Sequence, residues 1–470
     1  MLKDFILSLF NKSFSGSFTQ SQTNAIDSLS TFISDLDEHS LFILHGFAGT
    51  GKTTLISSII EVLQLLKFNS VLLAPTGKAA KIISLYSNKP AFTIHKTIYR
   101  QKNNYSASGS FDLNFNTYSN TFFIVDEASM ISDQEMPNAV FGSGRLLQDL
   151  MSFAYNNKNC RLILVGDTAQ LPPVGLESGP ALDKDYIERQ FDKNVYYTSL
   201  TDVVRQAESS DILMNATQLR ELIFSFTPQI PKFVVNNNSQ IEAVSGNDAV
   251  NLIADSYAAV GIHDTIIITK SNKLANIYNN GIRNRILWHE EKISVGDYIM
   301  IVKNNYYWIK DNPKLAFIAN GDTAKITSIK RFHELYNKTF ASVTLFLTDY
   351  EIEFDAIILL DTLSSESAAL TATESNDFFL AVMDDYADLK SKKEKYDAMK
   401  TNKYFNALQV KFAYAVTCHK AQGGQWKNVF IDHGYIKEVS PSVDMLKWFY
   451  TAITRSKEKI YFINLHQEFQ

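Results

Sequence analysis

Cysteine is almost absent from this 470-residue chain, which holds only Cys160 and Cys418. Each falls in an apolar run that reads as a strand. Neither a disulfide framework nor a cysteine metal site is expected, and the usage fits a reducing, cytoplasmic setting. Excess positive charge is also lacking, with 45 Lys plus Arg against 50 Asp plus Glu. Any nucleic acid must therefore be held in a local basic or aromatic groove and not by the overall field. No apolar run approaches the length of a membrane span, so no membrane partner is expected. The N-terminal MLKDFILSLFNKSF is short, broken by charge and without a small-residue cleavage pattern, which reads as an amphipathic segment. With 45% hydrophobic residues there is ample material for packed interiors. By length alone, roughly three domains are natural.

What is present begins with LFILHGFAGTGKTTLISSII. A buried-strand run, Leu41 to Leu44, leads into Gly46, Phe47, Ala48, Gly49, Thr50, Gly51, Lys52, Thr53 and Thr54, then a helical stretch. This is G-x-x-x-x-G-K-[ST] in the strand, loop, helix context its mechanism requires. The glycines let backbone N–H groups converge on phosphate oxygens and the helix N-terminus adds a favourable dipole. Lys52 reaches the β and γ phosphates, and Thr53 can ligate Mg2+.

Further short apolar runs follow in the order a doubly wound sheet would use, with VLLAP at 71–75, FFIVDEAS at 122–129 and RLILVGD at 161–167. They suit parallel strands buried on both faces. Asp126 and Glu127 close one of them, at the end where such sheets bind ligands. Asp126 can hold the metal, and Glu127 can orient and deprotonate an attacking water.

In order, GFAGTGKTT, APTGKAAK, TIHK, IVDEASM, GDTAQLPPVG, LTDVVRQ, CHKAQG and YTAITRSKEK resemble the motif series of superfamily 1 helicases, most closely the RecD and Dda branch. The series runs from Gln22 to Arg455, nearly the whole chain. The resemblance implies an ATP- and Mg2+-dependent DNA helicase moving 5′ to 3′ on single-stranded DNA. Gln22 matches an adenine-reading glutamine, whose amide both donates and accepts. Gln170 matches a γ-phosphate sensor, and Arg205 and Arg455 match two arginines that stabilise the transferring phosphoryl group, a task suited to an always-charged fork. DNA contacts carried over by motif are Thr76, Lys78, Thr93, His95, Thr417 and His419; short hydroxyls and imidazoles suit phosphate contact. Gly423 and Gln425 match a ribose-facing turn. There the branch commonly has Ser-Glu after the first glycine, and this chain has Gly424-Gln425.

The second half shows the same kind of apolar runs without a phosphate loop. They are TIIIT with a helical pattern at 265–287, KFAYAVTCHK at 411–420, KNVFIDH at 427–433 and KIYFIN at 459–464. A second α/β sheet is expected. One nucleotide between two such domains would let binding close a cleft and hydrolysis reopen it. Alternating patterns at 296–332 and 341–363 predict a small β module, either the SH3-like insertion of this branch or a barrel of unknown role. Residues 374–409 read as helical and Lys-rich, a solvated face or a DNA contact. In 98–121, Tyr105, the Ser108-Gly109 turn and alternating Phe111, Leu113 and Phe115 predict a hairpin, where the resemblance implies a strand-separating pin.

The expected fold is thus α/β, two RecA-like P-loop domains in tandem. The first spans 1–215 with a hairpin insertion at 98–121, and the second spans 216–295 and 405–470 with an inserted barrel and helical segment at 296–404. Expected partners are single-stranded DNA and its junctions with duplex, and replication or recombination proteins, with the chain acting as a monomer. A DNA-stimulated ATPase that remodels protein–DNA complexes without processive unwinding is the alternative. A binding protein with a dead nucleotide site is a second, disfavoured by the presence of Lys52, Thr53, Asp126, Glu127, Gln170, Arg205 and Arg455.

Overall fold

The computed structural model describes residues 2–14, 17–101, 111–135, 141–204, 210–235, 239–309, 315 and 317–470. By contact, the chain forms two compact units: Met1–Val234 with Ser440–Thr454, and Val235–Val439 with Arg455–Gln470.

The first unit is built on a six-stranded parallel sheet. In spatial order its strands are Ala91–Thr93, Asn69–Ala74, Thr121–Val125, Cys160–Gly166, Ser40–Gly46 and Asn194–Leu200. Ser40–Gly46 and Cys160–Gly166 are buried at every position. Such strands read as continuous apolar runs because helices cover both faces. The helix Gln20–Ser34 starts at a capping box in which the Thr19 hydroxyl accepts from Gln22 N and the Gln22 side chain accepts from Thr19 N. The N-terminal helix Leu2–Ser13 buries Ile6 and Phe10 against this core, as its amphipathic pattern predicts.

Tyr99–Gln101 and Phe111–Leu113 pair antiparallel, with Arg100 opposite Asp112. Tyr105, Ser108 and Gly109, on which the hairpin tip was expected, lie outside the described residues. Phe111 is buried, whereas Phe115 lies beyond the strand and is exposed, with the Arg100 guanidinium 4.3 Å from its ring centre.

The second unit has a five-stranded parallel sheet, ordered Ala415–Thr417, Thr265–Thr269, Trp426–Asp432, Ser456–Ile463, Ile241–Val244. It also has a closed barrel of Tyr298–Ile301, Thr323–Leu335, Lys338–Leu347, Ile352–Leu359 and Leu408–Phe412. Ala341, Val343, Leu345 and Leu347 alternate into the barrel core. Phe340, Ile357 and Leu359 pack instead against Phe378, Val382 and Met399 of the helices Ala372–Asp384 and Lys392–Thr401.

Two strand expectations need correction. KFAYAVTCHK is not one strand: Leu408–Phe412 closes the barrel, and the chain then bends at Tyr414 to enter the parallel sheet at Ala415. Asn279 holds the bend, its amide oxygen accepting from Tyr414 N and Ala415 N. Cys418 opens the four-residue helix Cys418–Ala421 and is not in a strand. Neither cysteine forms a disulfide, and both are buried.

Candidate nucleotide-hydrolysing site

Parallel register carries the chemistry of the first unit to one sheet edge. His45 pairs with Gly166, Val125 with Leu164, and Leu73 with Val125. Gly46–Thr54, Thr76, Asp126 and Asp167 therefore all leave the sheet at the C-terminal ends of its strands, where open α/β sheets bind ligands.

The phosphate loop feeds the helix Lys52–Leu65 through Gly51, which has φ 83°. A Cβ on Gly51 would lie 2.6 Å from Gln22 Nε2, so conformation and space both call for glycine there. Thr50 Oγ1 donates to Phe47 O at 2.8 Å, and Val204 N donates to Gly49 O at 3.0 Å. Phe47 is buried, with the Arg220 guanidinium 4.6 Å from its ring centre. Lys52 Nζ folds back onto the loop, donating to Gly46 O at 2.7 Å and Phe47 O at 2.9 Å, and lies 3.9 Å from Asp167 Oδ2. Thr53 and Thr54 occupy the first helical turn, where free backbone amides attract anions.

Asp126 follows its strand directly, and its Oδ1 accepts from Glu127 N at 2.8 Å. Burial, then the neighbouring Glu127 charge, push its carboxyl well above the usual carboxylate range. Glu127 sits at φ 53°, a left-handed conformation that costs a non-glycine residue roughly 1–2 kcal/mol and persists where surrounding structure enforces it. The Asp126 and Glu127 carboxyls and the Thr53 hydroxyl are oxygen donors of the kind a hard divalent cation takes. Gln170 is buried, and its Oε1 has no hydrogen-bond partner among the described residues. Such an orphaned acceptor fits a group that meets a water or ligand donor.

Gln22 is 2% exposed and already engaged. Its Oε1 accepts from Thr19 N at 3.0 Å and its Nε2 donates to Thr50 O at 3.1 Å. It thus ties the helix cap to the phosphate loop, leaving one N–H and one lone pair for another partner. Arg205 lies outside the described residues.

In the second unit, the turn after Cys418–Ala421 places Gly423 at φ 71° and leaves Gln425 exposed. Arg455 is buried beside this turn: its guanidinium donates to Gly424 O at 3.4 Å, and its carbonyl accepts from Trp426 N at 3.0 Å. The departure at Gly424 has a steric cause. A Cβ there would meet Trp426 Cη2 at 2.4 Å and Cζ3 at 2.8 Å, so the serine common in the resembling branch does not fit beneath this tryptophan.

Of the DNA-contact candidates, Thr76 and Thr93 cap the helices Gly77–Ser87 and Ile94–Ile98, their hydroxyls accepting from Ala79 N and Lys96 N at 3.2 Å. Each retains an O–H to donate. Lys78 lies in the first of these helices, half-buried. The His95 ring packs edge-on to Phe141, 4.9 Å between centres, and burial pushes it down to about 4, so it meets any phosphate as a neutral imidazole. Thr417 ends its strand opposite Thr269, and burial lowers the pKa of His419 from its ordinary value.

Tyr450 and Asp167 lie inside quoted motifs, YTAITRSKEK and GDTAQLPPVG, but sequence reasoning assigned neither a role of its own. Tyr450, in the helix Val443–Ile453, accepts from Ala48 N at 2.8 Å and donates to Asp167 Oδ2 at 2.7 Å. Thr451 Oγ1 accepts from Leu171 N at 2.8 Å. The available signal was a phenol inside the apolar MLKWFYTAI run, since a buried Tyr needs a partner for its O–H.

Residues 18–222 match the family described as AAA domain, and residues 412–463 match the UvrD-like helicase C-terminal domain. The chain is 26% identical to an uncharacterised protein of Acanthamoeba polyphaga mimivirus, over 95% of this chain and 99% of that one. It is 23% identical to the ATP-dependent RecD2 DNA helicase of Deinococcus radiodurans, covering 91% of this chain and 47% of that one. It is 27% identical to the ATP-dependent DNA helicase dda of phage T4, over 60% of each. The chain thus spans nearly all of the mimiviral protein but less than two thirds of either helicase.

Proposed function

As a member of the superfamily 1B helicases, of the RecD and Dda type, this chain is, we propose, an ATP-dependent DNA helicase that moves 5′ to 3′ along single-stranded DNA and unwinds duplex. The observation that carries the reading is the convergence of Lys52, Thr53, Asp126, Glu127, Asp167 and Gln170 beyond the strand ends of one parallel sheet. Lys52 leaves the loop carbonyls for the β and γ phosphates, and the first-turn amides hold the phosphate oxygens. Thr53 and Asp126 would hold a magnesium ion, which supplies charge neutralisation on those oxygens. Glu127 orients the attacking water and accepts its proton, while Gln170 Oε1 accepts a hydrogen bond from that water. Arg205 and Arg455 keep the charge-stabilising roles their motifs imply, and Thr76, Lys78, Thr93, His95, Thr417 and His419 keep the DNA backbone. Among the described residues no helix is long and apolar enough to cross a membrane. A cytoplasmic monomer acting at single-strand to duplex junctions, beside replication or recombination proteins, completes the reading.

ATP hydrolysis measured with and without single-stranded DNA tests it, with Lys52→Ala as control. DNA stimulation in the wild type and loss in Lys52→Ala are expected. Partial duplexes with 5′ or 3′ overhangs test polarity, and preferential unwinding from the 3′ overhang would sink that part. Streptavidin displacement without duplex unwinding would favour the remodelling ATPase.

A further inference from the structure

Among the described residues, the carboxylate that stands beside Lys52 Nζ is that of Asp167. Asp167 is fully buried, and its Oδ1 accepts from Ala169 N at 3.0 Å. Its Oδ2 takes the Tyr450 O–H at 2.7 Å and stands 3.9 Å from Lys52 Nζ, beyond hydrogen-bond range. The same phenol oxygen accepts from the phosphate-loop amide of Ala48 at 2.8 Å. Tyr450 is itself 1% exposed, so both of its hydrogen bonds are shielded from water. The helix bearing it is fixed beside them, since Thr451 Oγ1 receives Leu171 N and the helix packs on Asp211–Ile223.

We infer that Tyr450 is a positioning residue for nucleotide binding: its hydroxyl occupies Asp167 Oδ2, keeping that carboxylate from capturing Lys52, and pins the loop at Ala48. This rests on the helicase reading of the site. Without the hydroxyl, the buried Asp167 Oδ2 loses that donor, and among the described residues the cation beside it is the Lys52 ammonium. A shift of about an ångström would close that pair into a charge-assisted hydrogen bond. ATP would then have to break it before Lys52 could reach the phosphates. The effect falls on binding, because once Lys52 is on the phosphates the competing pair is gone.

The test uses the full chain and four proteins: wild type, Tyr450→Phe, Asp167→Asn and the double variant. Nucleotide affinity is read by titration with a fluorescent ATP analogue, turnover by ATPase at saturating ATP and DNA, and folding by thermal melting. Tyr450→Phe, which keeps the ring, should melt within a few degrees of wild type and weaken ATP binding about tenfold, the scale of one hydrogen bond to a charged group. Its kcat should change much less than its KM. The double variant should recover most of the loss and differ from Asp167→Asn only by the missing Ala48 contact, because an amide in place of the carboxylate has no charge to capture Lys52. Unchanged affinity in Tyr450→Phe, a loss confined to kcat, or a loss that persists in full in the double variant would each overturn the inference. A wild type that binds no nucleotide would overturn the helicase reading itself, and is told apart because it appears before any substitution.

Discussion

Gly424→Ser asks whether the turn that follows Cys418–Ala421 in the second unit is built around Trp426. The substitution restores the residue common in the resembling branch, so motif matching alone predicts a neutral or improved protein. The structure predicts damage. The added Cβ would sit 2.4 and 2.8 Å from two atoms of the rigid indole and 3.2 Å from Ala421 O, with the indole itself buried. Overpacking of this kind costs roughly 1–3 kcal/mol. For a unit of this size each kcal/mol moves the melting temperature about 2–4 °C, so a fall of roughly 2–12 °C is expected. The ring has little room to step aside because it is buried, and the turn beneath it is tied to Arg455, which donates to Gly424 O. Displacing the turn therefore displaces an arginine assigned to phosphoryl transfer, and DNA-stimulated ATPase should drop with stability. Differential scanning calorimetry and ATPase assays on Gly424→Ser, with and without Trp426→Leu, separate the effects, since a smaller residue at 426 should recover much of the loss. A Gly424→Ser protein that melts and turns over like wild type, with Trp426 in place, would refute the steric argument.

Burial pushes the His45 imidazole down to about 4 from 6.5, with Lys52 and Arg220 adding to the effect. The unfolded chain then binds more protons between these values, so the contribution, on the order of 3 kcal/mol, is fully present above pH 6.5 and lost as pH falls towards 4. His45→Gln should show a flatter dependence of melting temperature on pH between about 7 and 5; an unchanged slope would rule His45 out as the source. Gln22→Ala should cost about 1 kcal/mol through its lost hydrogen bonds to Thr19 N and Thr50 O and should also raise the KM for ATP more than that for GTP. Equal effects on both nucleotides would leave Gln22 a purely structural tie. Gln425→Glu, at an exposed position, should increase discrimination of ATP over dATP in kcat/KM, and an unmoved ratio would remove Gln425 from ribose recognition. Deleting 104–112 should abolish unwinding while sparing ATPase, and retained unwinding would dispose of the pin.

The sequence alone determined those features whose physics is local. A phosphate loop needs glycines, a lysine and a hydroxyl at set spacing between a strand and a helix, and Gly46 to Thr53 shows all of them in one short window. Short continuous apolar runs at 41–44, 122–125 and 162–165 read as strands covered on both faces, and the carboxylates closing one of them fall at the ligand edge of the sheet. The tertiary structure alone decided what depends on distant segments. KFAYAVTCHK divides between barrel and sheet because Asn279, far away in sequence, captures the backbone at Tyr414, and no periodicity encodes that. Gly424 excludes serine because of where the Trp426 ring comes to rest. Tyr450 meets Ala48 and Asp167 across 402 and 283 residues of chain. Local pattern reports which residues can do chemistry; only the fold, by bringing their neighbours within hydrogen-bond range, reports which of them are already engaged.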